Sequence, residues 1–574
     1  MCGIWAYVQS NKSSINVPEC FNNFYQLKHR GPTNSYFETY ENVCIGFHRL
    51  AIMDDTFQSN QPFILEDEHR TIIFICNGEI YNFKHLINYY DLNPEIKNDC
   101  LVLPTIYMQL CQRKKEEEFL RVIKNSVEGE FAFVLFEFNH SKQLQKVIAC
   151  RDEIGIRPLY YDPSTTSGSL LFTSELKGAE SYPGEIVEFP PGHMNIYQMI
   201  EERVVVESID YSTVYDTRPP LCVFDQRLET LWGEYQPTDN EYLNNISNAV
   251  INSVERRLVA DKPIAFLLSG GVDSSLVAAL SARTLGTPIR TFCCGMSEGT
   301  DLKYARDVAQ KIGSVHTEVI FTPEQGLAAI PDVIRTIESW DTTTVRASVG
   351  QYMVSKYISE HTDCKVVLVG EGPDEVCSSY LFNWYAPNGE ALDKAAKEYV
   401  KKIHYFDVKR ADRCISRWGL EGRVPLLDPE FIHSYWSLPY EERMPAYRGL
   451  EKWWLRKPFE GMDLLPQHVL CRKKEAFSDG ISGEKSWYQI IQDFVASKVT
   501  DEELAQAAIT YPYCTPTTKE AYYYRRLFCT YFGSDRQTII PHYWQPKWDA
   551  NGKEVAGYVD PSARTLSIYD EKSE

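Results

Sequence analysis

The second residue of the chain is a cysteine, and that position extends its chemistry. Removal of Met1 leaves the thiol of Cys2 and a free α-amine on one residue, so the amine can serve as the base that activates the thiol. GFHRLAI (46–52) places Arg49 in a strand-like run, where its guanidinium can clamp a carboxylate bidentately. CNGEIYN (76–82) reads as a buried strand that ends in an Asn-Gly turn. The Asn77 amide and the Gly78 backbone N–H suit an oxyanion hole for thiol attack on an amide. Glu79 and Asp99 add carboxylates suited to an ammonium group. Each also has a plainer reading, because Asn-Gly is commonly a simple turn and an isolated Arg or Asp a solvated charge.

A second group lies beyond residue 260. SGGVDSS (269–275) follows the apolar run PIAFLL (263–268) and opens a helix pattern. Small residues let backbone N–H groups approach a phosphate, and a helix N-terminus favours the anion. The loop is not of the Walker A type, and a plain strand–helix turn with a Ser/Asp cap is the alternative. GEGPDEV (370–376) follows KVVLV and sets Glu371, Asp374 and Glu375 at a strand's carboxyl end, where doubly wound sheets bind ligands. With Asp273 they form two acidic clusters. Carboxylates facing a polyphosphate call for Mg²⁺ between them; the alternative is that they cap the following helices.

Two kinds of framework must hold these groups. The first two hundred residues carry short runs rich in Ile, Val and Phe at 71–76, 130–138, 146–150 and 170–174, separated by turn signals. Helices are expected near 18–28 and 101–112, giving an α+β part with antiparallel sheets. Residues 201–240 read as a connector. From 241 the rhythm alternates: helix 242–259, strand 263–268, helix 272–285, strand 291–294, helix 301–312, strand 316–321, helix 323–338 and strand 365–370. That alternation predicts a doubly wound parallel sheet. Beyond 390 the chain turns helical and rich in Trp and Tyr, and an irregular tail follows.

Composition sets limits. A length of 574 residues suits two to four domains, and 24% charged with 44% hydrophobic residues excludes a disordered or coiled-coil chain. The net charge of −20 argues against nucleic-acid and anionic membrane partners. No apolar run approaches a membrane span. The 16 cysteines show no C-x-x-C pair or zinc spacing, as reduced thiols of a cytoplasmic protein would.

MCGI, HRGP (29–32), HRLAI, NGEIYN and RDEIGIRPLYY (151–161) resemble, in this order, the glutamine amidotransferase domain with an N-terminal cysteine nucleophile. The resemblance implies two antiparallel sheets sandwiched between helices. It makes Cys2 the nucleophile and Asn77 and Gly78 the oxyanion hole. Arg49, followed by Leu50, Ala51, Ile52 and Met53, would line glutamine, and Glu79 and Asp99 would take its ammonium. SGGVDS resembles the pyrophosphate loop of enzymes that cleave ATP between the α and β phosphates. With TTVRASVGQYMVSKYI (343–358), FDVKRADRCISRWGLEGRVPLLD (406–428), RKKEAFSDGI (472–481), HYWQPKW (542–548) and PSARTLS (561–567), the whole chain is similar to the glutamine-hydrolysing asparagine synthetases.

The resemblance implies an amidotransferase domain over 2–200, a connector over 201–240, a synthetase domain over 241–545 and a tail over 546–574. Leu268, Ser269, Gly270, Gly271, Asp273, Ser274, Cys294, Val369 and Gly370 would line ATP. Asp273 and Asp374 would hold Mg²⁺, Glu371 would accept a proton from attacking ammonia, Lys474 would neutralise pyrophosphate, and Arg346 would face aspartate. A homodimer is implied by the family alone. The chain departs from the family's S-G-E-G-S-D-E at Val369 and Pro373, and Ser378 and Ser379 replace a glycine pair; these changes bear on nucleotide affinity. Two other readings stand beside this one: a β-lactam-forming relative, which needs no glutaminase, and an inactive or regulatory paralogue.

Overall fold

The computed structural model describes residues 1–9, 15–164, 169–200, 203–215, 238–474, 480–483 and 485–557. Its strands are β1 (Gly3–Gln9), β2 (Asn34–Tyr40), β3 (Val43–Arg49), β4 (Phe63–Glu66), β5 (Arg70–Ile80), β6 (Gly129–Asn139), β7 (Leu144–Arg151), β8 (Tyr160–Tyr161), β9 (Ser169–Thr173), β10 (Val187–Glu188), β11 (His193–Ile200), β12 (Arg203–Asp210), β13 (Ile264–Leu267), β14 (Arg290–Gly295), β15 (Val315–Ile320), β16 (Val366–Leu368) and β17 (Glu421–Arg423). The first twelve form two six-stranded antiparallel sheets, in the orders β10-β8-β9-β1-β3-β2 and β12-β11-β7-β6-β5-β4. Alternate residues of facing strands, such as Ile4, Ala6 and Val8 of β1 and Ala132, Val134 and Phe136 of β6, fill one core between them. The intervening residues of β6, Phe133 and Leu135, point the other way, into a core shared with Ile106 and Leu110 of the helix Val102–Gln112.

The remaining strands make a parallel sheet in the order β15-β14-β13-β16-β17. Helices connect them, among them Val272–Leu285, Thr300–Ile312 and Thr342–His361. β13 pairs with β14 on one side and β16 on the other, so the sheet order reverses there and the loops after β13 and β16 lie side by side. A Cβ on Gly370 would sit 2.6 Å from the backbone nitrogen of Ser274, which is why that loop position is glycine. No described helix is long and apolar enough to cross a membrane.

Both halves of the expected fold are present, with two local corrections. Asn77 and Gly78 do not turn, because β5 runs on to Ile80 and pairs them with Ala132 and Phe131 of β6. Glycine is required there by crowding: a Cβ on Gly78 would lie 2.6 Å from the Glu130 carbonyl oxygen. Residues 203–210 were expected in a connector, yet β12 pairs with β11 along its whole length. The strand-like run at the start of that stretch is this edge strand, with Val205, Val206, Glu207 and Ser208 exposed. The rest of the expected connector over 216–237, residues 475–479 and the PSARTLS block lie outside the described residues.

The two halves are joined by buried ion pairs. Arg30 of HRGP is fully buried; its Nη1 lies 2.6 Å from Glu175 Oε1 and 2.8 Å from Asp412 Oδ2, and its Nε donates to the Cys2 carbonyl at 2.9 Å. Asp412 belongs to the helix Asp407–Ser416 of the second half. Arg257 meets Glu130 at 2.7 Å and Asp428 at 2.7 Å, and Lys409 meets Glu188 at 3.1 Å. RDEIGIRPLYY serves this junction: Asp152 accepts four backbone N–H bonds from residues 154–157, and Arg157 Nη1 then donates to the Gly422 carbonyl at 2.9 Å. Removing one partner of a buried pair costs about 3–5 kcal/mol, because a charge is left uncompensated. Arg30→Met is therefore expected to lower stability by about 3 kcal/mol or more, read as an earlier urea-unfolding midpoint; an unshifted midpoint would show that these charges do not hold the junction.

Candidate functional site

Two constellations emerge, one in each half. Cys2 precedes β1, with its Sγ 3.8 Å from the Leu50 carbonyl. The structure retains Met1, whose buried ammonium donates to the Leu420 carbonyl at 3.1 Å and is pushed down to about 5 by burial. In this form the Cys2 nitrogen is a peptide N–H, and burial pushes the thiol up to about 11. Asn77 is buried in β5, and its Nδ2 has no hydrogen-bond partner among the described residues. A buried amide N–H left unpaired is unfavourable, so this donor is open to an incoming acceptor.

The other expected glutamine contacts are engaged with protein groups. Arg49 ends β3, and its guanidinium donates to the carbonyls of Met53, Asp54 and Thr56 and to Asn60 Oδ1 at 2.7 Å. It orders the loop after the buried Leu50, Ala51 and Ile52, which differs from the expected open clamp; the run HRLAIM gives no sign that the loop folds back on its own arginine. Glu79 pairs with Arg423 of the parallel-sheet half at 3.1 Å. Burial, with Glu421 and Asp99 nearby, raises its carboxyl well above the usual range. Asp99 accepts from the Ile80 N–H at 2.8 Å, and burial pushes it up to about 6.

In the second half, the loop after β13 is tied by its own serines. Ser269 Oγ lies 3.0 Å from Ser274 Oγ and accepts from the Gly271 N–H at 3.3 Å. Gly270 has φ +72°, with Tyr304 Cβ 2.4 Å from where its own Cβ would stand. Gly271 opens the helix Val272–Leu285 with no side-chain cap, so its first N–H groups remain available to an anion. Leu268, Ser269, Gly271, Asp273, Ser274, Cys294, Val369, Gly370, Glu371, Asp374 and Lys474 all line one cavity of about 230 Å³. Gly270 does not line it and acts through loop shape. Arg346 lines it too, but its guanidinium is held by Glu520 at 2.8 and 2.6 Å.

Lys452 is the residue that sequence reasoning missed. Its ammonium lies 2.5 Å from Asp273 Oδ2 and 2.6 Å from Asp374 Oδ1, while Lys474 also contacts Asp374. Burial works to raise Asp374, but Lys452 and Lys474 overcome that and hold it far below the usual range. The run GLEKWW marks Lys452 in no way, since its backbone takes the left-handed region (φ +58°) only in the fold. Arg410 belongs to the 406–428 block; its Nη2 meets Glu371 Oε2 at 2.6 Å, and its Nη1 meets Asp407 at 3.0 Å. Burial raises the Glu371 carboxyl, with Arg410 opposing.

The departures from the family pattern are accommodated. Val369 uses its backbone N–H, donating to the Arg423 carbonyl at 3.0 Å. Pro373 takes the first position of the helix Pro373–Val376, where no N–H is needed. Ser378 adopts φ +53°, the region that favours glycine, and Ser379 Oγ donates to Asp374 Oδ1 at 2.5 Å.

Two carboxylates that converge on one ammonium, with Asp273 Oδ1 buried and unpartnered, fit a divalent cation. Among the described residues no cluster of three or more His, Cys, Asp or Glu suits a metal. Two carboxylates of this kind fit a hard cation that takes its remaining ligands from phosphate and water.

A family model described as asparagine synthase matches residues 245–396 and 386–551, and one described as a glutamine amidotransferase domain matches 1–212. Asparagine synthetase (glutamine-hydrolyzing) of Homo sapiens is 38% identical over 587 residues, covering 99% of this chain and 99% of that protein. Those of Cricetulus griseus and Gallus gallus are each 39% identical with the same coverage.

Lys452→Met leaves Asp273 and Asp374 facing each other without their shared cation. It is expected to lower stability by about 3 kcal/mol, with millimolar Mg²⁺ restoring more of the thermal midpoint in the variant than in the wild type. A variant that melts like the wild type, or ignores Mg²⁺, would contradict the cation site.

Proposed function

Since the chain belongs to the glutamine-hydrolysing asparagine synthetases, we infer that it converts aspartate, glutamine and ATP into asparagine, glutamate, AMP and pyrophosphate. In this reading each half carries one half-reaction. Once Met1 is removed, the Cys2 amine takes the thiol proton and the thiolate attacks the glutamine amide carbon. Asn77 Nδ2 and the Gly78 N–H hold the oxyanion, the protonated Cys2 amine passes its proton to the leaving nitrogen so that ammonia departs, and water hydrolyses the thioester to glutamate. Near neutral pH Asp99, whose carboxyl lies at about 6, is ionised and pairs with the substrate ammonium. Arg49 shapes the wall that receives the substrate's carboxylate end.

At the second site the aspartate β-carboxylate attacks the α-phosphorus of ATP, giving β-aspartyl-AMP and pyrophosphate. Ammonia then displaces AMP, and Glu371, positioned by Arg410, accepts the proton. The loop 268–274 and the ammonium groups of Lys452 and Lys474 offset the charge of the leaving pyrophosphate. Asp273 and Asp374 would hold Mg²⁺, whose charge neutralises the phosphate oxygens. The observation that best supports this reading is the meeting of the Ser-Gly-Gly loop, Asp374 and two lysines in one cavity. The assignment also takes the enzyme as cytoplasmic, in keeping with the free thiol of every described cysteine.

Purified protein with aspartate, glutamine and MgATP is expected to yield asparagine, glutamate, AMP and pyrophosphate in equal amounts. Cys2→Ala should abolish the glutamine-dependent reaction while synthesis from free ammonium continues. A folded Cys2→Ala protein without ammonium-dependent synthesis would contradict the two-site assignment, and an inactive wild type would favour the paralogue reading.

A further inference from the structure

Gln351 lies on the helix Thr342–His361, on the face that lines the cavity with Thr343, Ala347 and Val354. It is only 2% exposed. Its Oε1 accepts from Arg410 Nε at 3.2 Å. Arginine offers only donors, so this contact fixes the amide: oxygen toward Arg410, nitrogen away from it. The Nε2 is buried and has no partner among the described residues. A buried donor without an acceptor is unfavourable unless a ligand supplies one.

The charged side chains around it already have partners. Arg410 holds Glu371 and Asp407, Arg346 holds Glu520, and Lys452 bridges Asp273 and Asp374. A carboxylate entering the cavity must displace a protein carboxylate to reach those cations, whereas Gln351 Nε2 is an uncontested donor. Of the two carboxylates of aspartate, the β-carboxylate must face the phosphate loop, which leaves the α-carboxylate in search of a donor.

We propose that the Gln351 side-chain amide holds the α-carboxylate of the aspartate substrate and so sets the affinity for the acceptor amino acid; this rests on the asparagine synthetase reading above. Gln351→Leu removes the donor at similar length. Gln351→Glu keeps an acceptor for Arg410 and replaces the donor with a negative oxygen.

The test measures ammonium-dependent asparagine formation, varying aspartate and MgATP in turn. A hydrogen bond to a charged group corresponds to about a ten- to hundredfold change. The KM for aspartate is expected to rise by about that factor in Gln351→Leu and further in Gln351→Glu, with the KM for MgATP within about twofold of wild type. Aspartate-dependent pyrophosphate exchange gives the same comparison if turnover is low. An unchanged aspartate KM in Gln351→Leu would overturn the inference. So would a parallel rise in both KM values, the signature of disturbed packing around Arg410. An inactive wild type would overturn the synthetase reading and this inference together, whereas an active wild type with unshifted variants overturns the inference alone.

Discussion

Arg30 is the constraint on which the arrangement depends. It is fully buried, and a buried guanidinium must have its charge and its donors satisfied. It meets that demand by spanning three parts of the molecule: the Cys2 carbonyl, Glu175 of the antiparallel half and Asp412 of the parallel half. The Cys2 backbone is thereby fixed to the helix Asp407–Ser416. The same helix carries Arg410, which holds Glu371 in the cavity of the second half. One short helix thus touches both candidate sites, and buried charges have few alternative arrangements that satisfy them.

That coupling suits the chemistry inferred for the chain. Ammonia is a nucleophile only while unprotonated, and an acyl adenylate is open to water. Two sites that share an intermediate of this kind gain from a dry and geometrically fixed junction. Glu79 illustrates the economy of the design, since it follows Asn77 and Gly78, the proposed oxyanion hole, yet pairs with Arg423 of β17.

Much of this was legible in the sequence, because period and turn chemistry are local. The helix expected over 272–285 is Val272–Leu285, and the alternating strands and helices fall within a few residues of their expected bounds. The failures share a physical origin in contacts distant along the chain. Asn77-Gly78 looks like a turn, but Gly78 is there because β6 passes too close for a Cβ. β12 was read as strand-like pieces within a connector, because its pairing with β11 becomes visible only in the fold. Lys452 stands 179 residues from Asp273, and no local pattern links them. Arg49 was expected to hold a carboxylate and Arg346 to face aspartate; the protein acceptors of both, on the 53–60 loop and at Glu520, become visible only in the fold.

In the proposed reaction, nitrogen released at Cys2 passes to the cavity of Glu371 inside the molecule, across the junction that Arg30 fixes. Supplying glutamine labelled with ¹⁵N at its amide, in unlabelled ammonium kept below the level at which the Cys2→Ala variant makes asparagine, tests it directly by mass spectrometry of the asparagine formed. The account predicts asparagine labelled nearly as fully as the glutamine amide. Label diluted to the level of the bulk ammonium would contradict it, and would mean that the two sites only happen to share a chain.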